Sequence, residues 1–365
     1  MYLDIPNLLN LSIVAGVGSM RMRSLIAKFK SAEDVFKASI KTLISVDGID
    51  LKTAQKIKKF SDFKYGEQQY KKTLTYGAEI VTFWDEKYPL NLKNIYDPPV
   101  LLFIKGNLKK QDTNAISVVG TRIPSHYGKV ITEKIVNEIA HKGLTVVSGL
   151  ARGVDTIAHL AALKTSGRTL AVIGTGIDIV YPSENRRLVE QIIENGAIIS
   201  EFPMGTPPDA INFPKRNRII AGLSFGTVVI EAGKKSGALI TANLALEYNR
   251  EVFAVPGNIT SSKSLGTNQL IKEGAKLINS VDDILEELKP HIGQLFTQPK
   301  SIETIKNISP QEKEILRNLS EVPIHIDELA RKMNQPTNII LSDLLSLEFR
   351  DFIKQLPGKL FVRLY

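Results

Sequence analysis

The sequence contains no cysteine and few histidines, and these absences narrow the chemistry that is open to the chain. Without cysteine, the chain forms no disulfides and no cysteine-ligated zinc or iron-sulfur sites, and it has no thiol nucleophile. Its five histidines are scattered and no HExxH pattern occurs, so a metal site has little to build on. We therefore expect no metal cofactor.

Long apolar runs and a positively charged amino terminus are also missing. No stretch approaches the roughly 18 uninterrupted apolar residues of a membrane span. The opening stretch, MYLDIPNLLNLSIVAGVGSM, carries an acidic residue where a signal peptide needs positive charge. We expect a cytoplasmic protein that makes no contact with a membrane.

Charge is unevenly distributed along the chain. The 365 residues, enough for two or three domains, include 47 Lys and Arg against 38 Asp and Glu, a net charge of +9. Residues 1–76 hold 13 basic against 7 acidic side chains, whereas residues 301–365 hold 9 of each. A basic balance favours polyanionic partners. The two ends of the chain are therefore expected to have different roles.

Residues 1–76 are predicted to form a helical domain of the helix-hairpin-helix type, which is SAM-like. Two stretches, AGVGSMRMRSLIAKF and VDGIDLKTAQKIKKF, each place a Gly-containing turn before a basic helix. Such turns contact DNA phosphates through backbone N–H groups and the following helix N-terminus. The turn at 16–18 fits this pattern, but Asp50 in the second turn should weaken a phosphate contact. The alternative is a small helical domain that only packs against its neighbour.

Residues 77–290 are predicted to form a Rossmann-like domain, preceded by an ordered connector of strands and turns up to residue 108. Near-continuous apolar runs alternate with helical segments, which indicates a mostly parallel, doubly wound α/β sheet covered on both faces. The runs are AISVVG (115–120), LTVVSG (144–149), TLAVIG (169–174), AIISEF (197–202), GTVVIEA (226–232) and EVFAVPG (251–257), with the shorter AKLINS after them.

The carboxyl-terminal part is predicted to be a polar linker, 291–305, followed by a winged helix, 306–365. Three helical segments precede a hairpin around Pro357 and Gly358. The third helix, the one that would enter a DNA groove, carries Asp343 and Glu348 and is otherwise apolar. Because a base-reading helix needs cations and amides, this domain is expected to contact protein rather than DNA.

The carboxyl ends of the predicted strands are polar and rich in glycine, which indicates an anion site. Ligands of such sheets bind where each strand turns into the next helix, and glycine lets the backbone approach them. The stretch NFPKRNR is placed in the loop after the fourth strand. Its cations, Lys215, Arg216 and Arg218, precede a helix whose N-terminus is already positive, so a negative group is expected beside them.

Common nucleotide-binding and catalytic patterns do not occur at these strand ends. The first turn reads GTRIPS rather than GxGxxG, and neither GTRIPSHYGKV nor EAGKKSG has P-loop spacing, so no dinucleotide cofactor or ATP hydrolysis is expected. Asp155 and His159 share one helix face, and Glu201 and Glu231 end strands. Acid-base chemistry is open to such residues, but cap and core roles are favoured because no nucleophile or metal set accompanies them.

Taken together, these motifs resemble the DNA-processing protein A family, also called Smf. The resemblance covers residues 80 to 285 in a fixed order, with GTR, SGLARGVDTIAH, GTGIDIVYP, FPKRNRIIAGLS, EAGKKSGALITANLA, VPGNI and GTNQLI. It implies a non-catalytic, homodimeric protein that binds single-stranded DNA in natural transformation (competence) and recombination. It also implies that the protein protects this DNA, loads the RecA recombinase and displaces single-strand binding protein, with no cofactor.

The resemblance also implies which residues meet the DNA. Carried over motif by motif, the phosphate contacts are Gly120, Thr121, Arg122, Ser148, Gly149, Gly153, Lys215, Arg216 and Gly237. Asn217 and Arg218 belong to the same motif and are candidates either for contact or for ordering the loop.

Two alternatives of other classes remain. One is a nucleotide-binding enzyme similar to nucleoside-monophosphate phosphoribohydrolases, whose PGGxGTxxE signature corresponds here to GTVVIEAGKKSGALIT without the preceding glycine pair. The other is a scaffold that binds proteins through its carboxyl-terminal domain.

Overall fold

The computed structural model describes residues 4–292, 309–320, 323–350, 352–356 and 358–363. The chain divides into two compact units, Met1–Lys289 and Pro290–Tyr365. The predicted linker falls almost entirely outside the described residues, apart from its first two positions, which end a helix. Among the described helices, none combines the length and the apolar character that crossing a membrane requires.

The first unit opens with six helices that form the expected helix-hairpin-helix region. They are α1 (Ile5–Ser12), α2 (Ser19–Phe29), α3 (Ala32–Lys37), α4 (Ile40–Ile44), α5 (Leu51–Lys59) and α6 (Lys64–Thr75). Both predicted turns are present, and Gly16 and Gly48 adopt positive φ angles of 97° and 78°. The Asp50 carboxylate caps α5 by accepting the Thr53 N–H at 2.7 Å. This carboxylate occupies the helix N-terminus that a phosphate would need, and the weakened phosphate contact stays a prediction.

A nine-stranded sheet follows the helices. Its strands are β1 (Glu79–Thr82), β2 (Leu101–Gly106), β3 (Ala115–Val119), β4 (Thr145–Ser148), β5 (Thr169–Val172), β6 (Ala197–Ser200), β7 (Gly226–Val229), β8 (Glu251–Ala254) and β9 (Lys276–Leu277). All six predicted apolar runs contain a strand. The strands are shorter than the runs because the glycines and polar residues at the ends of the runs belong to the turns.

The strand order is β1-β2-β6-β5-β4-β3-β7-β8-β9. Neighbours from β6 to β9 are parallel, whereas the connector strands β1 and β2 add an antiparallel edge to the same sheet. The chain proceeds from β3 to β6 in one direction and then returns to β7 on the other side of β3. The carboxyl ends of β3 and β7 therefore form the topological switch point, where ligands of doubly wound sheets bind.

Helices of the sheet region connect these strands. They are α7 (Leu90–Lys93), α8 (His126–His141), α9 (Val154–Lys164), α10 (Arg186–Asn195), α11 (Asn212–Leu223), α12 (Gly237–Glu247), α13 (Leu265–Lys272) and α14 (Val281–Ile292), with 3-10 turns at Lys110–Thr113 and Ser183–Asn185. The placement of NFPKRNR in a loop was wrong, because α11 begins at Asn212 and contains all of it. Proline is compatible with the first helical turn, where its missing N–H is not needed.

Two apolar clusters cover opposite faces of the sheet. Ala171 and Ile198 belong to a cluster that also contains the buried residues of the amino-terminal helices. Leu170 and Ile199, which alternate with them, belong to a second cluster with α11 and α12. Alternate strand residues point to opposite faces, so the helical region covers one face of the sheet near β5 and β6.

The second unit is a winged helix, as predicted. It contains α15 (Pro310–Asn318), β10 (Ile324–His325), α16 (Ile326–Met333), α17 (Thr337–Phe349), β11 (Ile353–Leu356) and β12 (Leu360–Arg363), with strand order β10-β12-β11. Ser309 and Glu312 form a capping box at α15. Of the expected turn residues, Gly358 has a φ of +87°, and Pro357 lies outside the described residues.

The exposed side of α17 carries large apolar side chains. Ile340, Leu344 and Leu347 are fully buried in the core of this unit, whereas Leu341 and Leu345 are 41% and 43% exposed. The surface of the helix that would enter a DNA groove thus presents leucines, which favour a protein contact over a phosphate contact.

Candidate nucleic-acid interface

A pocket of about 900 Å³ opens at the switch point between the loops that follow β3 and β7. Residues 120–123 form one wall, and Gly233 with residues 235–238, which lead into α12, forms another. The first turns of α11 and the loop after β8 complete it. Its wall residues include Gly120, Thr121, Arg122, Arg216, Asn217 and Gly237, six of the predicted site residues.

The loop after β3 is held in place by its own backbone. The N–H of Thr121 donates to the carbonyl of Glu231 at 2.8 Å, and the N–H of Val154 donates to the carbonyl of Thr121 at 3.2 Å. Gly153 has a φ of +79° and packs so closely on this loop that a Cβ would collide with the backbone of Thr121 and Arg122. These contacts hold the loop in one conformation that leaves the side chain of Arg122 exposed at the pocket rim.

The loop after β4 contacts the side chain of Arg216. Ser148 is fully buried and its hydroxyl donates to the carbonyl of Val118 at 2.7 Å. A Cβ on Gly149 would lie 2.5 Å from Nη1 of Arg216 and 2.7 Å from Oδ2 of Asp155. Glycine at this position therefore makes room for the side chains of Arg216 and Asp155.

Arg216 is an internal residue with only 5% of its surface exposed. Its Nη1 donates to the carbonyls of Gly149 and Val172, and Nε donates to Oδ1 of Asn217 at 3.2 Å. Burial lowers the pKa of Arg216 to about 10, while Asp155 acts in the opposite direction. Arg216 thus joins the ends of β4 and β5, and it adds positive charge to the pocket from within its wall.

Arg218 also has internal partners. Its Nη2 pairs with Oε2 of Glu201, and its Nη1 donates to the carbonyl of Asp97 at 2.6 Å. Burial is the largest influence on Glu201 and raises the pKa of its carboxyl, while Arg218 favours the charged form. The hydroxyl of Tyr248 donates to Oδ1 of Asp97 at 2.7 Å. This network links α11 to the connector. Its Glu201 carboxylate is a negative group of the kind expected beside the NFPKRNR cations.

Lys215 differs from the other two cations of that motif. It is exposed, and within residues 4–292 its side chain has no hydrogen-bond or ion-pair partner. It does not line the pocket itself, although its neighbours Pro214 and Arg216 do. Asn217 is buried, and its Nδ2 donates to the carbonyl of Gly237 at 3.4 Å, which links α11 to α12. DNA contact by any residue of this motif stays a prediction.

The pocket also contains cations and aromatic rings that the motif comparison did not select. Lys235 is exposed on the wall before α12, and Lys263 is half-buried in the loop after β8. Tyr181 is 43% exposed, and its ring lies 5.7 Å from that of Phe213. Both lysines follow predicted strands at the same edge of the sheet, so the rule that selected Arg122 could also have selected them.

The residues considered for acid-base chemistry are engaged inside the protein. His159 is fully buried, its Nδ1 lies 2.6 Å from the hydroxyl of Thr169, and burial lowers its pKa to about 3. Both carboxylate oxygens of Glu231 accept from Ser125, one from its N–H at 2.8 Å and one from its hydroxyl at 2.5 Å. Asp155 lines the pocket, and burial raises the pKa of its carboxyl to about 6.

Potential metal ligands are not clustered in the described part of the chain. Across the residues that the structure describes, no set of three or more His, Asp or Glu side chains is arranged to hold a metal ion.

Comparison with known families matches nearly the whole chain in three segments. Residues 79–289 match the family model described as DNA recombination-mediator protein A. Residues 299–359 match the DprA winged helix domain, and residues 8–60 match a SAM-like helix-hairpin-helix tandem.

Individual relatives agree with these matches. Protein Smf of Synechocystis is 34% identical over 96% of this chain and 97% of its own length. The X-ray structure of DNA processing protein A from Streptococcus pneumoniae is 36% identical, has a TM-score of 0.69, and covers 79% of this chain and 99% of its own. The structure of DNA processing protein A from Helicobacter pylori was described for its single-stranded DNA binding mode. It is 32% identical, has a TM-score of 0.53, and covers 58% of this chain and 96% of its own.

The central domain and both flanking domains thus match known families, and a relative of more than 30% identity matches along nearly the whole sequence. The chain belongs to the DNA recombination-mediator protein A family, also called DprA or Smf.

Proposed function

We propose that this protein binds single-stranded DNA along the carboxyl edge of its sheet and acts in DNA uptake and recombination. The observation that carries the proposal is the convergence of Arg122, Lys235 and Lys263 on one pocket at the switch point. Within residues 4–292, none of their side chains has a hydrogen-bond or ion-pair partner. Cations without internal partners are available to neutralise phosphates, which is the main source of affinity for nucleic acid.

The pocket suits a single strand better than a duplex. Arg122 can hold a phosphate through two parallel N–H contacts, and the lysines act as point charges. Tyr181 and Phe213 offer ring faces beside these cations, and bases stack on such rings with little regard to sequence. The single-stranded DNA binding mode described for the Helicobacter pylori relative supports single-stranded DNA as the ligand.

Membership of the family supports a finer proposal. The protein protects the bound strand, loads the RecA recombinase while displacing single-strand binding protein, and works as a homodimer. The apolar side chains of residues 265–288 lie mainly in the core, so this segment offers little surface for a dimer contact. Exposed apolar side chains at Leu246 and Ile259, which are 58% and 82% exposed and lie outside the pocket, are better candidates for a contact surface.

We further propose that the protein has no catalytic activity. The internal hydrogen bonds of Glu231 and the burial of His159 support this, because a general acid or base must reach the atom that it protonates. Incubation with nucleoside monophosphates tests the alternative of a phosphoribohydrolase, since release of free base would contradict the proposal.

The experiment that tests DNA binding compares single-stranded and duplex oligonucleotides of equal length by fluorescence anisotropy over a series of salt concentrations. Single strands should bind more tightly and with little dependence on sequence. Their affinity should fall with salt with a logarithmic slope of roughly 0.7 per phosphate neutralised. Equal binding of duplex at moderate salt would contradict the assignment of this pocket to a single strand.

A further inference from the structure

A second cleft, of about 620 Å³, lies between α6 and the loops that follow β5 and β6. From α6 it is lined by Gln68, Lys71, Lys72, Thr75 and Tyr76, and from the two loops by Asp178, Met204 and Gly205. We name it the α6 cleft. No predicted site residue belongs to it, and its α6 wall lies outside the segment matched by the helix-hairpin-helix tandem.

Both walls of the α6 cleft are fixed. Nε2 of Gln69 donates to the carbonyl of Met204 at 3.4 Å, which ties α6 to the loop after β6. The N–H of Gly205 donates to Oδ1 of Asp178 at 2.9 Å, which ties the two loops together. A cleft with fixed walls loses little conformational entropy when a ligand enters.

The chemistry of the α6 cleft is that of a polyanion site with an aromatic surface. Lys71 and Lys72 are exposed, and within residues 4–292 neither side chain has an ion-pair or hydrogen-bond partner. Asp178 is the acidic side chain in the lining, and one of its oxygens is already engaged by Gly205.

Tyr76 supplies the aromatic surface. Nζ of Lys105 lies 3.5 Å from the centroid of the Tyr76 ring and donates to the backbone carbonyl of Tyr76 at 2.8 Å. These contacts hold the ring in place from one side. The ring remains half-buried at the cleft and is available for stacking.

The α6 cleft lies next to the pocket at the switch point, because the same two loops line both. The loop after β5 contributes Asp178 to the cleft and Tyr181 to the pocket. The loop after β6 contributes Gly205 to the cleft and Pro208 to the pocket. Three residues span at most about 10 Å of extended chain, so the two sites are close neighbours.

We propose that the α6 cleft is a second segment of the path of single-stranded DNA, with phosphates on Lys71 and Lys72 and a base on Tyr76. A strand that leaves the pocket past Tyr181 would enter it. This inference rests on the proposed function, since it extends the same site. It assigns the helix-hairpin-helix side of the molecule a role in holding single strands through α6, rather than through the two hairpin turns.

The test uses the full chain and two oligothymidylates, of about 6 and about 20 nucleotides, which bracket the site sizes of single-strand binding modules. The double variant Lys71→Glu, Lys72→Glu should bind the longer strand about tenfold more weakly, with a salt slope lower by about 1.4, and should bind the shorter strand within about twofold of wild type. The matched control is Lys56→Glu, Lys59→Glu, exposed lysines of α5 that do not line the cleft.

The outcomes separate the two proposals. If the unaltered protein binds neither strand, the proposed function fails. If it binds both and the α6 double variant loses no more affinity for the longer strand than the control does, the α6 cleft is not part of the path. An equal loss for both strands would also overturn the inference, because it would place the lysines in the pocket or indicate a damaged fold.

An independent readout concerns the aromatic ring. A 20-mer that carries 4-thiothymidine should photo-crosslink to Tyr76, and Tyr76→Phe should retain the affinity that Tyr76→Ala loses. Stacking of one base by such a ring is expected to change affinity roughly 5- to 100-fold. Equal affinity of the phenylalanine and alanine variants for the longer strand would contradict a stacking role.

Discussion

The pocket at the sheet edge and the exposed surface of α17 are both places where proteins of their fold bind nucleic acid, yet they present opposite chemistry. The pocket displays Arg122, Lys235 and Lys263 around glycine-rich backbone. The α17 surface displays Leu341 and Leu345 instead. A fold therefore offers a position for a ligand, whereas the exposed side chains decide which ligand it takes.

A second difference lies within the pocket itself. Arg122 is exposed and without a partner among residues 4–292, whereas Arg216 is 5% exposed and bonded to two carbonyls. At this edge of the sheet, Arg122 is thus free to bind a ligand, whereas Arg216 stabilises the edge itself.

The largest expected effect is the loss of stability in Arg216→Ala. This change leaves the carbonyls of Gly149 and Val172 without their donor and removes a positive charge that favours the ionised form of the buried Asp155 carboxyl, at a cost of about 3 to 5 kcal/mol. Arg122→Ala, the matched control, should stay within about 0.5 kcal/mol of wild type because its side chain is exposed. Chemical unfolding measures both. Equal stability of the two variants would contradict the internal role of Arg216.

The pH dependence of stability should reveal two buried titratable side chains, Asp155 and His159. The pKa of Asp155 is raised from 3.8 to about 6, mainly by burial, so its contribution is fully present below pH 3.8 and is lost as the pH rises through about 6. The pKa of His159 is lowered from 6.5 to about 3, again mainly by burial, so its contribution is present above pH 6.5 and is lost as the pH falls. Between about pH 4 and pH 6 the two slopes oppose each other.

Asp155→Asn should remove one of these slopes. In that window the free energy of unfolding of the variant should rise with pH more steeply than in wild type, by up to about 1.4 kcal/mol per pH unit. Urea unfolding at several pH values measures the difference. Parallel pH profiles would show that Asp155 ionises normally in the folded protein.

The smallest effect is expected from removal of the winged helix. Residues 301–365 carry no net charge, and α17 exposes leucines, so a chain that stops near Lys300 should bind single-stranded DNA within about twofold of the full chain and with the same salt slope. Anisotropy titrations of both chains provide the comparison. A large loss of affinity would mean that this unit contacts DNA after all.

Much of the fold could be predicted because its signals are local. The strands of the parallel sheet are short apolar runs that end in glycine or polar residues, and each of the six runs contains one. The winged helix follows from amphipathic spacing and capping, as at Ser309 and Glu312. The antiparallel connector strands were expected as ordered structure, but their membership of the same sheet depends on pairing between β2 and β6, nearly a hundred positions apart.

The site was less predictable because its electrostatics depend on distant partners. Arg216 reaches the carbonyl of Gly149, 67 positions away, and Arg218 reaches that of Asp97, 121 positions away. A sequence motif shows that these cations occur together, but it does not show which of them are buried. The position of Pro214 in the first turn of α11 was a local signal that could have placed NFPKRNR in the helix.

The most direct measurement is the salt dependence of single-stranded DNA binding by Arg122→Ala beside the stability of the same variant. If Arg122 holds one phosphate, the logarithmic slope should fall by roughly 0.7, all sequences should be weakened alike, and the unfolding transition should not move. A lower melting temperature with an unchanged salt slope would show instead that Arg122 is a structural residue. That result would contradict the assignment of the pocket to a DNA phosphate.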